Sequence, residues 1–437
     1  MLLLDIINLL TLRYDPTTHD NNINNSLNTA DDNIRHIHPQ EVEAYRLRLQ
    51  QITNDNENNN MPSSKNIENT LRQVINSKIK ESKTNHIAVA LSAGVDSTLT
   101  LCLIRKEFPD IEIDCLTVSF NEDDSSEVSA AKEIAENQNA GFHEICVRNL
   151  LEDLPAQISI VEEPRWNIYQ YYFIKKARTI SNVLFTGDGG DDLWAGYTFR
   201  YKKFLANVKP NDSWQDRVQT YLQCHERDWV PDQEDMFGAK LKKTFSWYSI
   251  YLLLKKYFDN GLDPLEQVLL ADYHGKLMHD FIPTNEKYFR HFNIDGIAPL
   301  LSPEIIDLSI RIPASLKYDV ASNIGKIPLR EIINSNATTS ASVSLPLHLI
   351  ENKKMGFGII NLPKFWFKTG KEIVTSKLEK GIIFEDKIIS TEWYTKSLKR
   401  IDEYKDPRYI TKMLQLLSLE IWYKLFKSEI DASSYVV

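Results

Sequence analysis

Hydrophobic and polar positions divide the chain into stretches of distinct character. Residues 1–14 are apolar, with Asp5 and Asn8 among them, and fit a strand or a short helix. Residues 15–66 are rich in Asn, Asp and Ser and can bury little apolar surface. They read as a mobile linker, interrupted by one helix over Glu41–Gln51. Then the pattern becomes regular. Ile67–Lys80 predicts an amphipathic helix, Ile87–Leu91 a buried strand and Thr98–Lys106 a helix. Asp114–Phe120 is a second strand. A helix over Glu127–Asn137 follows, with Val128, Ala131, Ile134 and Ala135 at helical spacing. Phe142–Val147 is a third strand, Tyr169–Ile180 a helix and Asn182–Thr186 a fourth strand.

This alternation predicts an α/β fold, a parallel sheet with helices on both faces. Ligands of such sheets sit beyond the carboxyl ends of the strands, so the loops after Leu91, Phe120 and Thr186 carry the interest. Beyond Phe204 the strand pattern fades into aromatic-rich helical segments. The last is Tyr409–Lys427, with Leu414, Leu417, Ile421, Leu425 and Phe426 expected along one face. The predicted organisation is a domain over 67–427, with a nucleotide-binding α/β part (67–203), a mostly helical part (204–427) and a tail (428–437).

A net charge of −9 speaks against a nucleic-acid surface. Cys102, Cys115, Cys146 and Cys224 are too scattered for a zinc knuckle or a thiol pair and suit reduced thiols in a cytoplasmic protein. Neither a signal peptide nor a membrane span is expected. The pairs His274/His279 and His36/His38 lack convincing metal spacing.

Two loops carry the candidate chemistry. Ser92-Ala93-Gly94-Val95-Asp96-Ser97 joins the first strand to a helix. Its small residues let backbone amides and the helix dipole face an anion, and Ser97 adds a hydroxyl. Asp96 would repel phosphate unless it holds a bridging Mg²⁺. The second loop, Thr186–Tyr197, has glycines at 187, 189, 190 and 196 and aspartates at 188, 191 and 192. Acids so crowded need a cation or a proton among them.

The first loop resembles the S-G-G-x-D-S loop of the ATP pyrophosphatase superfamily. The second resembles the G-[ED]-G-x-D-E-x-x-x-G-Y motif of the asparagine synthetase family, whose relatives include β-lactam synthetases and lasso-peptide cyclases. Further segments fit that family: Val118-Ser119-Phe120, Pro299-Leu300-Leu301, Gly325-Lys326 with Leu329-Arg330, Lys353–Gly358 and Leu416–Trp422. The resemblance covers roughly 67–427. It implies that ATP and pyrophosphate lie against Leu91, Ser92, Ala93, Gly94, Asp96, Ser97, Val118, Gly187 and Lys354. It implies Mg²⁺ on Asp96 and Asp191, with Asp188 and Lys326 as catalytic residues. The implied reaction adenylates a small-molecule carboxylate, aspartate by default, and an amine then displaces AMP.

Several positions depart from the family pattern. Ala93 stands for a glycine, and Asp192 for the more usual Glu. Asp295 and Ile297 replace a Glu and an Arg, and Glu162–Asn167 occupies the substrate region. If position 93 required positive φ, alanine would cost roughly 1 kcal/mol. Leu2 stands where glutamine-dependent members have their nucleophilic cysteine. The expectation is a chain without a glutaminase domain, supplied by ammonia, a separate glutaminase partner or a different amine. Closure of a β-lactam or macrolactam and an inactive scaffold are the alternatives. A base-modifying pyrophosphatase is disfavoured by the acidic charge.

Overall fold

Among the residues the computed structural model describes (3–16, 62–120, 125–167, 169–225, 228–339 and 361–427), five strands form one parallel sheet. These are β1 (His86–Ala90), β2 (Glu112–Ser119), β3 (Gly141–Cys146), β4 (Val183–Phe185) and β5 (Asp295–Ile297), in the order β3-β2-β1-β4-β5. β1 is central, and Ile87, Ala88 and Val89 are wholly buried, as a strand covered on both faces requires. From β1 the chain winds outward through β2 and β3, then returns to β4 on the other side of β1. The loops leaving β1 and β4 therefore diverge at the topological switch point, where a crevice opens.

The helices arise where the periodicity places them. Ser64–Ser82 buries Ile67, Leu71, Ile75 and Ile79, and Ser63 caps it by accepting the Asn66 amide. It starts ahead of the boundary expected at 67, because the cap lies outside the apolar repeat. The helix over Leu154–Val161 and strand β5 were not anticipated. Each is short, and β5 is a three-residue strand inside an otherwise helical half, too brief to show a period.

One expectation changes in the helical part. Within the helix Pro407–Lys427, every residue from Tyr409 to Tyr423 is buried, Lys412 and Glu420 included, while Phe426 is 39% exposed. This helix is the axis around which the helices over 154–161, 371–378, 382–385 and 391–404 pack, so a one-face stripe is the wrong pattern for it. Of the two forms expected for the apolar start, the short helix is present, Leu3–Leu12, with Ile6, Ile7, Leu9 and Leu10 buried. The expected helix over 41–51 lies outside the described residues.

Lys412 donates to the Leu10 carbonyl at 2.6 Å, and Gln233 donates to the same oxygen at 3.2 Å. Burial lowers the Lys412 pKa to about 7. The unfolded chain therefore binds this proton more tightly, and stability rises with pH between about 7 and the ordinary lysine value. Lys412→Met is expected to raise the melting temperature at pH 6, where the penalty is fully present, by about 1–3 kcal/mol of stability. The gain should shrink toward pH 10. Calorimetry across that range checks it, and a gain independent of pH would contradict it.

Candidate active site

Backbone pairing carries the sheet one residue past β1. The Leu91 amide donates to the Leu116 carbonyl at 2.9 Å, and the Thr117 hydroxyl to the Leu91 carbonyl at 2.8 Å. The chain then turns sharply. Ser97 Oγ receives the Ser92 amide at 3.0 Å and donates to the Ser92 carbonyl at 3.1 Å, while Ser92 Oγ receives the Gly94 amide at 3.1 Å. The two serines cinch the loop, and Gly94 enters the helix Val95–Glu107 with Asp96 in its first turn. Ala93 has no positive φ, and its methyl is buried. The alanine therefore carries none of the strain that a left-handed position would impose. Val118 lies buried at the end of the adjacent β2.

The loop after β4 rests directly on this turn. A Cβ at Gly187 would stand 2.7 Å from the Ser97 amide, and one at Gly190 would overlap the Asp96 carboxylate. Gly189 has φ +91°, which an L side chain rarely adopts. A Cβ at Gly196 would overlap Asp191 Oδ1 and Lys326 Cε. The glycine spacing thus records the close approach of two loops and their acids.

Lys326 completes the centre. Its φ is +59°, a left-handed conformation that costs about 1–2 kcal/mol for a non-glycine residue. Its amide is anchored to the Trp194 carbonyl at 2.9 Å. The strained backbone sends the ammonium between the loops, 2.5 Å from Asp96 Oδ2 and 2.8 Å from Asp191 Oδ1. Burial acts to lower the lysine's pKa, but Asp191 and Asp96 outweigh it and hold the amine charged. Asp96 and Asp191 therefore share one cation, and their hard oxygen donors over glycine-cleared space suit Mg²⁺.

Asp188 stands beside this pair. Its Oδ2 accepts from Thr186 Oγ1 at 2.9 Å and from Asn285 Nδ2 at 2.8 Å. Burial raises its pKa to about 6, the charge of Asp96 adds to the shift, and the two hydrogen bonds oppose it. Asp188 can therefore exchange a proton near neutral pH.

A buried ionic layer supports the loop from behind. The Asp192 carboxyl pKa is raised by burial, with Asp272 and Asp191 adding and Lys276 opposing. Tyr197 donates to Asp192 at 3.4 Å, and both Lys276 (4.3 Å) and Arg200 (4.6 Å) lie over its ring. Arg200 in turn pairs with Asp272 at 2.6 Å. Asp272, Lys276 and Asp280 all belong to Asp272–Phe281, a wide π-helical stretch of the kind common near functional sites. Arg165 and Glu163, from the stretch that follows the helix Leu154–Val161, form an ion-pair network with Asp280 and Lys287.

The sequence-derived residues Leu91, Ser92, Ala93, Gly94, Asp96, Ser97, Gly187, Asp188, Asp191 and Lys326 thus come together. Lys354 lies outside the described residues. His274 is occupied by Tyr257 at 2.8 Å, and His279 stacks on Tyr14. Thr186, Asn285 and Lys276 belong to the site without having been singled out. Asn285 and Lys276 sit in helical stretches whose sequence holds no motif. No described helix is long and apolar enough to cross a membrane.

The asparagine synthase family model matches residues 66–424. The glutamine-hydrolyzing asparagine synthetase 1 of Bacillus subtilis (strain 168) is 23% identical over 303 residues, covering 62% of this chain and 45% of that relative. The glutamine-hydrolyzing asparagine synthetase of Homo sapiens is 25% identical over 150 residues, or 31% of this chain and 27% of that relative. The chain spans about half the length of the first of these relatives, or less.

Proposed function

The chain belongs to the asparagine synthase family, and from that premise we propose that it is an ATP-dependent ligase that adenylates a carboxylate and converts it to an amide, releasing AMP and pyrophosphate. The observation that carries this reading is the convergence of Asp96, Asp191 and Lys326 on one point at the switch of the sheet, beside a proton-exchanging Asp188.

The 92–97 turn would receive the pyrophosphate part of ATP. Its serines can trade their mutual hydrogen bonds for phosphate oxygens, and the helix start favours negative charge. Asp96 and Asp191 would hold Mg²⁺, which when bound offsets charge on the phosphates. A substrate carboxylate oxygen attacks the α-phosphorus, the bond to the β-phosphate oxygen breaks, and pyrophosphate leaves with the electron pair. Lys326 stabilises the negative charge accumulating there by charge-assisted hydrogen bonds. An amine lone pair then attacks the acyl carbon, and the acyl–oxygen bond breaks with its electrons on AMP. Asp188 accepts the proton that the nitrogen sheds.

Aspartate is the first carboxylate to test, with ammonia, free or delivered by a separate glutaminase, as the amine. The purified chain with ATP, Mg²⁺, ammonium and a panel of acids is expected to yield AMP and pyrophosphate. A β-amino acid or peptide that closes on itself without ammonium would place the enzyme among the lactam-forming branch instead. ADP as the product would refute the reading. Gly190→Ala should displace the Asp96 carboxylate and lower AMP formation by at least about 10²-fold. The circular dichroism spectrum should stay native, because the new methyl meets a side chain and not backbone.

A further inference from the structure

Asn285, on the helix Ile282–Phe292, is only 6% exposed. Its Nδ2 is spent on Asp188 Oδ2, 97 residues away in sequence. Its Oδ1 is buried and has no hydrogen-bond partner among the described residues. The reverse orientation of the amide would set oxygen against carboxylate oxygen, so the contact with Asp188 fixes which atom is left over. With Thr186 also on Oδ2, the other Asp188 oxygen and the Asn285 carbonyl are left as acceptors on two hydrogen-bonded side chains. Buried acceptors in native proteins are normally satisfied, so the Asn285 carbonyl calls for a donor supplied from outside, beside the half-buried Asp188.

The nearby surface narrows the chemistry of that donor. Phe281 lies one helical turn before Asn285, and its ring meets Tyr169 edge-on at 6.4 Å between centroids. Burial raises the Tyr169 hydroxyl's pKa, and the charges of Asp188 and Asp191 add to it. A negatively charged oxygen beside a neutral carbonyl suits a small cation that only donates hydrogen bonds.

We infer that Asn285 Oδ1 and Asp188 Oδ1 form a seat for ammonium or a primary ammonium group, the amine substrate of the amide-forming step. The role in that step rests on the ligase reading above; the seat itself does not. Asp188 takes one proton from the seated cation, and the carbonyl of Asn285 keeps the resulting amine oriented by a remaining N–H.

Rubidium, an ammonium surrogate with anomalous scattering, tests the seat directly on crystals of the full chain. The expected peak lies in contact with Asn285 Oδ1 and Asp188, and disappears in Asn285→Leu. Kinetically, Asn285→Leu should raise KM for ammonium about tenfold or more, with a smaller change in KM for ATP. Asn285→Ser, which keeps a polar group, provides a second variant should the leucine fail to fold. No rubidium peak in the wild-type chain, or a fall in kcat with KM for ammonium unchanged, would overturn the seat. The latter result would leave Asn285 as a residue that merely orients Asp188. A rubidium peak in a chain that makes no AMP with any acid would instead refute the ligase reading and leave the cation site standing.

Discussion

Lys326→Met should abolish most pyrophosphate release, with a loss of about 10²–10³-fold or more in kcat. The side chain is the cation shared by Asp96 and Asp191, so removing it deletes the charge that faces the departing phosphates. The same change should lower the stability of the ligand-free protein. Breaking a fully buried ion pair costs roughly 3–5 kcal/mol. Here the Asp96 and Asp191 side chains keep 14% and 29% of their exposure, so about 1–3 kcal/mol is expected. Millimolar Mg²⁺ should restore much of that loss in the variant, because a divalent ion can take the place of the ammonium between the two acids. Activity within tenfold of wild type, or a melting temperature that Mg²⁺ leaves unmoved, would show that the two carboxylates do not act as one site.

The second large effect concerns Asp188. Amide formation should climb with pH through about 6, as the carboxyl loses its proton and becomes able to accept one. Asp188→Asn should slow that step by about 10²–10⁴-fold and erase this limb, while ATP–pyrophosphate exchange survives. The stability effect has the opposite sign. The native carboxyl holds its proton more tightly than an unfolded one, so its contribution is full at low pH. It is lost as pH rises from the ordinary aspartate value through about 6. The asparagine variant should therefore melt slightly higher than wild type at pH 8 and not at pH 4. An acid limb that persists in Asp188→Asn would assign it to another group.

Much of this was legible from one dimension. Strand and helix periods are set by near neighbours, so His86–Ala90 and Ser64–Ser82 differ from their expected spans only at the ends. The glycine-and-acid loops were legible as well, since such composition has no use in packing. The burial of every residue over 409–423 was not, because the apolar residues there read equally well as one stripe. The ion pairs of Arg165 were not either, since a charged residue in a loop reads as solvated until its partners are seen.

The sequence by itself determined the alternating α/β order, the two loops that follow the first and fourth strands, and the acids and lysine available to them. Only the tertiary structure decided that Lys326, 230 residues from Asp96, sits between the two carboxylates, and that Asn285 holds Asp188. The physical reason is range. Backbone period and turn chemistry act over a few residues, whereas these contacts exist because the sheet's crossover and the packing of distant helices bring unrelated segments within hydrogen-bond distance.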